Sequence, residues 1–202
     1  DVPSASEISG RTVDDQSSAD DFLSDAGDWY DGDALSGDEE KSGAVVSKLK
    51  EIYDDPTIDD KTRQEAAALA GKVAIQSDPN AEQLSKNLVG SIDELTSSES
   101  DASADEFIRS LIPSEALNDK TAFTNMINAL LDSSDAYMSL GTNIQDSGST
   151  YLTDAELGDA VQLGAVSVAL EAALDSLDGS VDGSYSNSEV TTADRDTLWD
   201  IV

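Results

Sequence analysis

Residues 178–189 read Asp-Gly-Ser-Val-Asp-Gly-Ser-Tyr-Ser-Asn-Ser-Glu, and they hold the one constellation in the chain with the spacing of metal ligands. Carboxylates and hydroxyls recur along the stretch, glycines permit sharp turns, and a glutamate closes it. Such hard oxygens suit a hard divalent cation, which gathers six to eight of them. Little else could do chemistry. The chain has no Cys and no His, which removes disulfides, thiol nucleophiles, Ser–His triads, the usual zinc ligand and the default general base at neutral pH. Its 43 Asp and Glu residues are so widely scattered that no pair stands out as acid/base machinery. There is no glycine-rich phosphate loop, dinucleotide fingerprint or nucleophile elbow. Trp29, Tyr53 and Trp199 read as core or interface anchors rather than a stacking platform.

The 178–189 stretch resembles an EF-hand calcium loop. In that alignment Asp178 takes loop position 1, Ser180 position 3, Asp182 position 5, Gly183 the sharp turn, Ser184 position 7, Ser186 position 9 and Glu189 position 12. The resemblance implies Ca2+ as cofactor. It implies side-chain ligation by Asp178, Ser180, Asp182 and Glu189, a carbonyl from Ser184, and Ser186 acting directly or through water. Tyr185 departs from the β-branched apolar residue usual at its place, and the serine ligands imply weakened affinity, which follows ligand charge. EF-hands pair, yet the upstream counterpart 145–156 has Gln145 at position 1 and Thr150 where glycine belongs. That loop is expected to bind nothing, and a lone loop at 178–189 would lock the last helix in place rather than open as a sensor. The bland reading of 178–189 is a Gly/Ser/Asp connector between two helices.

Positioning such a loop requires helices on both sides, and the composition allows them. The chain has 202 residues and 24 Ala, and alanine is the strongest helix former. Leu, Ile, Val and Phe total 44 residues, just above the level at which a highly charged chain stays disordered. Val45, Val46, Leu49, Ile52 and Tyr53 recur at helical spacing up to Pro56; Ala66, Leu69, Ala70 and Val73 form a second face behind a cap at Asp59 or Asp60; Leu84, Leu88, Ile92 and Leu95 form a third after Ser77-Asp78-Pro79. Phe22 and Trp29 can share one helix face. The clearest helix holds Phe123, Met126, Ile127, Leu130, Leu131, Tyr137 and Leu140, with Gly141 as its expected end. Thr153 and Glu156 match a capping box. The segment behind them is apolar on most sides, so 153–177 is expected to be a buried central helix. The fold class is therefore all-α, a multi-helix bundle of short antiparallel helices around that centre.

The chain opens at Asp1 rather than Met, and residues 1–18 are polar and aperiodic. They read as a flexible tether from a cleavage site or from a lipid-modified residue just upstream, with 19–202 as a single helical domain. Residues 97–104 (SSESDASA) read as a surface loop, and as the place where a subdomain break would fall. The acidic run Asp25, Asp28, Asp31, Asp33 and Asp38 reads as a solvated loop rather than a cation site, since its spacing fits no ligand pattern.

A net charge of −32 repels nucleic acid and anionic membrane surfaces. It favours divalent cations, basic proteins or a salty solvent. Asp outnumbers Glu 30 to 13 and Lys numbers 7, a balance resembling halophilic or marine proteins. No apolar run is long enough to span a membrane. These features lead to the expectation of a non-enzymatic protein, extracellular, periplasmic or at the cell surface, that works by self-assembly or by binding a protein partner in a salty medium. The alternative is a calcium-binding protein whose 178–189 loop orders the C-terminus for a partner.

Overall fold

The computed structural model describes residues 2–95 and 109–164, with residues 92–95 described by backbone alone. Those residues are helical and, among them, no strand forms. The elements are α1 (Ala5–Ser9), α2 (Gln16–Asp31), α3 (Glu39–Asp54), α4 (Asp60–Gln76), α5 (Pro79–Leu95), a helical stretch at 109–111, α6 (Ser114–Asn118), α7 (Lys120–Ser147) and α8, described over 154–164.

Short acids start most of these helices. Asp15, Asp38, Asp59 and Asp119 are the N-caps of α2, α3, α4 and α7, each accepting a backbone N–H from the first turn. Asp78 does the same ahead of α5, accepting from the Ala81 amide at 2.8 Å. A short carboxylate can reach the orphan amides of a helix start where a longer glutamate cannot, so part of the Asp excess is architectural. The Ser18 amide holds the Asp15 carboxyl below its ordinary range, and the Lys41 amide does the same to Asp38. Both groups therefore support the fold at neutral pH, and that support fades as pH falls through their lowered values.

The α7 helix is the spine. Phe123, Met126, Ile127, Leu130 and Leu131 on its first half are buried with Ala81 of α5, with Ile112 ahead of α6 and with Ala116 of α6. Tyr137 and Leu140 on its second half join Phe22, Val45, Leu49, Ile52 and Val73 in the larger core. Burying each large side chain stabilises by about 1.5–3 kcal/mol before chain entropy is counted. Against α7 lies α4, whose buried residues are rich in small ones, Ala66, Ala67, Ala70, Gly71 and Ala74, beside Gln64, Val73 and Ile75. The two helices come close at Gly71, where a Cβ would stand 2.5 Å from Tyr137 Cζ. The small-residue face that permits close helix packing is thus on α4.

Three expectations need correction. The helix expected at the centre, 153–177, is described only over 154–164, and there it lies at the periphery, with Val161 66% exposed; α4 and α7 hold the centre instead, because small residues on one admit large ones from the other. Residues 165–177 lie outside the described residues. The tether expected over 1–18 is instead folded from Ala5 onward. Ser4 and Glu7 form a capping box on α1, Ile8 is wholly buried in the main core and Val13 is 4% exposed. Arg11 fastens this segment, with its guanidinium 2.6 Å from Asp25 Oδ2 and 5.1 Å above the Phe22 ring. Phe22 in turn meets Trp29 edge to face at 6.0 Å, on the shared face the spacing predicts. Finally, Gly141 does not end α7. The helix runs on to Ser147 and stops at Gly148, whose left-handed φ of 68° ends it. The segment 97–104 lies outside the described residues.

Candidate functional site

Of the sequence-derived site residues, Asp178, Ser180, Asp182, Ser184, Ser186 and Glu189 all lie outside the described residues. Among the described residues, no group of three or more Asp or Glu is arranged to hold a metal ion. The acidic run 25–38 has structural tasks: Asp25 pairs with Arg11, Asp33 accepts from Gln76 Nε2 at 3.0 Å, and Asp38 caps α3. The stretch 145–156 is no ion loop either. It comprises the last turn of α7, the Gly148 stop, and the capping box in which Glu156 Oε2 accepts from the Thr153 amide at 2.7 Å.

A groove of about 750 Å³ lies where the end of α3 and the start of α4 meet the second half of α7. Several of its polar groups are already engaged. Lys50 lies 3.2 Å from Asp54 and 5.3 Å over the Tyr53 ring. Arg63 Nε donates to the Tyr53 carbonyl at 3.0 Å, satisfying a group left open at the end of α3. Asp60 accepts from Asn143 Nδ2 at 3.0 Å. Burial, followed by the Asp54 charge, pushes the Tyr53 phenol well above its ordinary range. Tyr53 therefore stays a neutral core residue, as its sequence context suggests, and supplies no base. The groove is built as a joint.

Behind the groove a buried amide completes that joint. Gln64 of α4 is fully buried. Its Nε2 donates to Asn143 Oδ1 at 2.8 Å and to the Ser149 carbonyl at 2.9 Å, while its Oε1 accepts the Tyr151 amide at 2.9 Å. One side chain thereby pins the turn after α7 to α4. Sequence reading misses Gln64, because a lone glutamine in an alanine-rich helix carries no pattern. Gly71 carries no distinguishing signal either, since Gly27, Gly43, Gly90 and Gly141 also lie inside helices and a Cβ on any of them would meet nothing within 4 Å.

Charge is organised just as locally. Every basic side chain from Arg11 to Lys86 lies within 4 Å of a carboxylate, six of the eight pairs being three or four residues apart on one helix. Exposed pairs of this kind add little stability. Their effect is to neutralise the scarce cations and leave the surplus acid as the outward charge. Among the described residues no helix is long and apolar enough to cross a membrane. Comparison with family models, curated proteins and solved structures returns no match to this chain.

Proposed function

We propose that this protein is a non-catalytic helical scaffold, exported or held at the cell envelope, that works by assembling with itself or with a protein partner in a salty medium. One observation carries the reading: eight basic side chains are paired within the fold, so a chain of net charge −32 presents carboxylate to its surroundings. Such a surface repels copies of itself until salt or a cation intervenes. Raising salt from 0.1 M to 1 M shortens the screening length from about 10 Å to about 3 Å. The expected result is a melting temperature higher by about 5 °C or more, with association by light scattering appearing over the same range. A protein that stays monomeric at every salt and calcium level removes the self-assembly reading, and failure to bind any protein partner in high salt removes the rest.

The loop at 178–189 supports a second reading, in which calcium orders the C-terminus for a partner. Trp199 is its reporter, and Trp29→Phe removes the competing signal from the packed ring. In that background, millimolar calcium should change Trp199 emission, and Glu189→Gln should weaken the response about tenfold or more. A flat titration in both proteins rules the site out.

A further inference from the structure

The joint of α3, α4 and α7 leaves one face of α7 open to the groove beside it. Asp135, Met138, Thr142 and Asp146 line that groove and follow one another at spacings of three and four residues, so they form a single stripe along the helix. From Asp135 to Asp146 the stripe runs about 16 Å, at 1.5 Å of rise per residue. An extended peptide covers that length in about five residues. The groove is therefore long enough to hold a segment of chain rather than a point ligand. Met138, 39% exposed, puts a large apolar side chain between the two acids, and an unbranched thioether adapts to whatever lies against it.

Charge selects the occupant. The lining holds Asp54, Asp60, Asp135 and Asp146 against Lys50 and Arg63. The two cations already pair with Asp54 and Asp60 on the opposite wall, so the negative surplus falls on the α7 stripe. A second copy offers no matching segment. No two basic residues adjoin anywhere in the chain, and every one from Arg11 to Lys86 is paired within the fold. We propose that the α7 stripe docks an extended basic segment of a partner protein, with two Lys or Arg side chains on Asp135 and Asp146 and an apolar side chain between them on Met138. The proposal rests on the partner half of the assembly reading and names where that partner binds and what it must carry.

The test uses the full chain, labelled with nitrogen-15, and the capped peptide Lys-Ala-Leu-Leu-Ala-Lys as probe. Saturable shifts are expected at the amides of Asp135, Met138, Thr142 and Asp146. The rearranged peptide Ala-Leu-Lys-Lys-Leu-Ala has the same charge without the spacing and should bind about fivefold more weakly. Asp146→Asn should weaken the probe about threefold, the effect of one exposed ion pair. Met138→Arg should weaken it about tenfold or more without lowering the melting temperature, since the side chain stands in solvent. Glu115→Gln removes the same charge on α6, against the other half of α7, and should change nothing. The proposal fails if no shift saturates, if the rearranged peptide binds as well, if Glu115→Gln matches Asp146→Asn, or if Met138→Arg binds as wild type does. Salt keeps this outcome apart from that of the assembly reading. Docking on the stripe should weaken as salt rises from about 0.1 M to 1 M, whereas the association expected above strengthens over that range, so either can fail while the other stands.

Discussion

Gly71→Ala should lower the melting temperature by about 6–12 °C, the largest effect expected of any single added methyl group in this fold. The new Cβ would lie 2.5 Å from Cζ, 2.6 Å from Cε2 and 2.9 Å from the hydroxyl oxygen of Tyr137. All three belong to a stiff ring only 8% exposed, so neither partner can yield cheaply and the helices must separate. Overpacking of this kind costs about 3 kcal/mol, at the upper end of its usual range. If the clash is the cause, Tyr137→Leu should restore part of the loss, and a double-mutant cycle should return a coupling of about 1 kcal/mol or more. An alanine variant that melts within a degree of wild type would mean that α4 and α7 are not packed at this distance.

Gln64→Leu should cost about 2–4 kcal/mol although it preserves volume, because it strands a buried partner and frees two more exposed ones. The buried Asn143 Oδ1 would lose its bond at about 1–3 kcal/mol, while the Ser149 carbonyl and the Tyr151 amide, on exposed residues, would lose theirs at about 0.5–1 kcal/mol apiece. Urea denaturation reads the total. Hydrogen exchange at Tyr151 reads the local part, and its protection should collapse first. Gln64→Glu adds a test by pH. Burial would raise the carboxyl above its ordinary value, so the variant should be weak at neutral pH and gain stability as the pH falls and the acid takes its proton. Equal stability of the Glu variant at neutral and acidic pH would show that position 64 is wetter than its burial indicates.

Much of the scaffold was legible in the residues because helices announce themselves locally. Thr153 and Glu156 form the expected capping box, Asp59 caps α4, Pro79 begins α5, and the apolar repeat from Phe123 to Leu140 lies within α7. The misreadings share a physical origin: each concerns a decision made by distant contacts. The α1 helix spans five residues, too few for periodicity to register, and it is held by Ile8 entering a core that residues far along the chain complete. Gly141 resembles a stop, but a helix tolerates a glycine at a cost of about 1 kcal/mol, and only Gly148 takes the left-handed turn that ends this one. The apolar character of 153–177 cannot say which helix is central, since a surface helix leading into an apolar run has the same composition. Of the candidate sites, the loop at 178–189 is visible as a pattern alone. The groove among α3, α4 and α7 leaves no pattern at all, because Lys50, Arg63 and Asn143 come from well-separated segments.

The seam between Gly71 and Tyr137 also constrains how the protein is made. Its two sides are more than sixty residues apart in the chain, so on the ribosome α4 is finished well before α7 exists. The alanine-rich face of α4 must wait in water, and domains assembled from such late-arriving partners fold more slowly than those closed by neighbours. A nascent chain halted after α5 should therefore be sensitive to protease, and should gain resistance only once synthesis has carried Tyr137 clear of the exit tunnel.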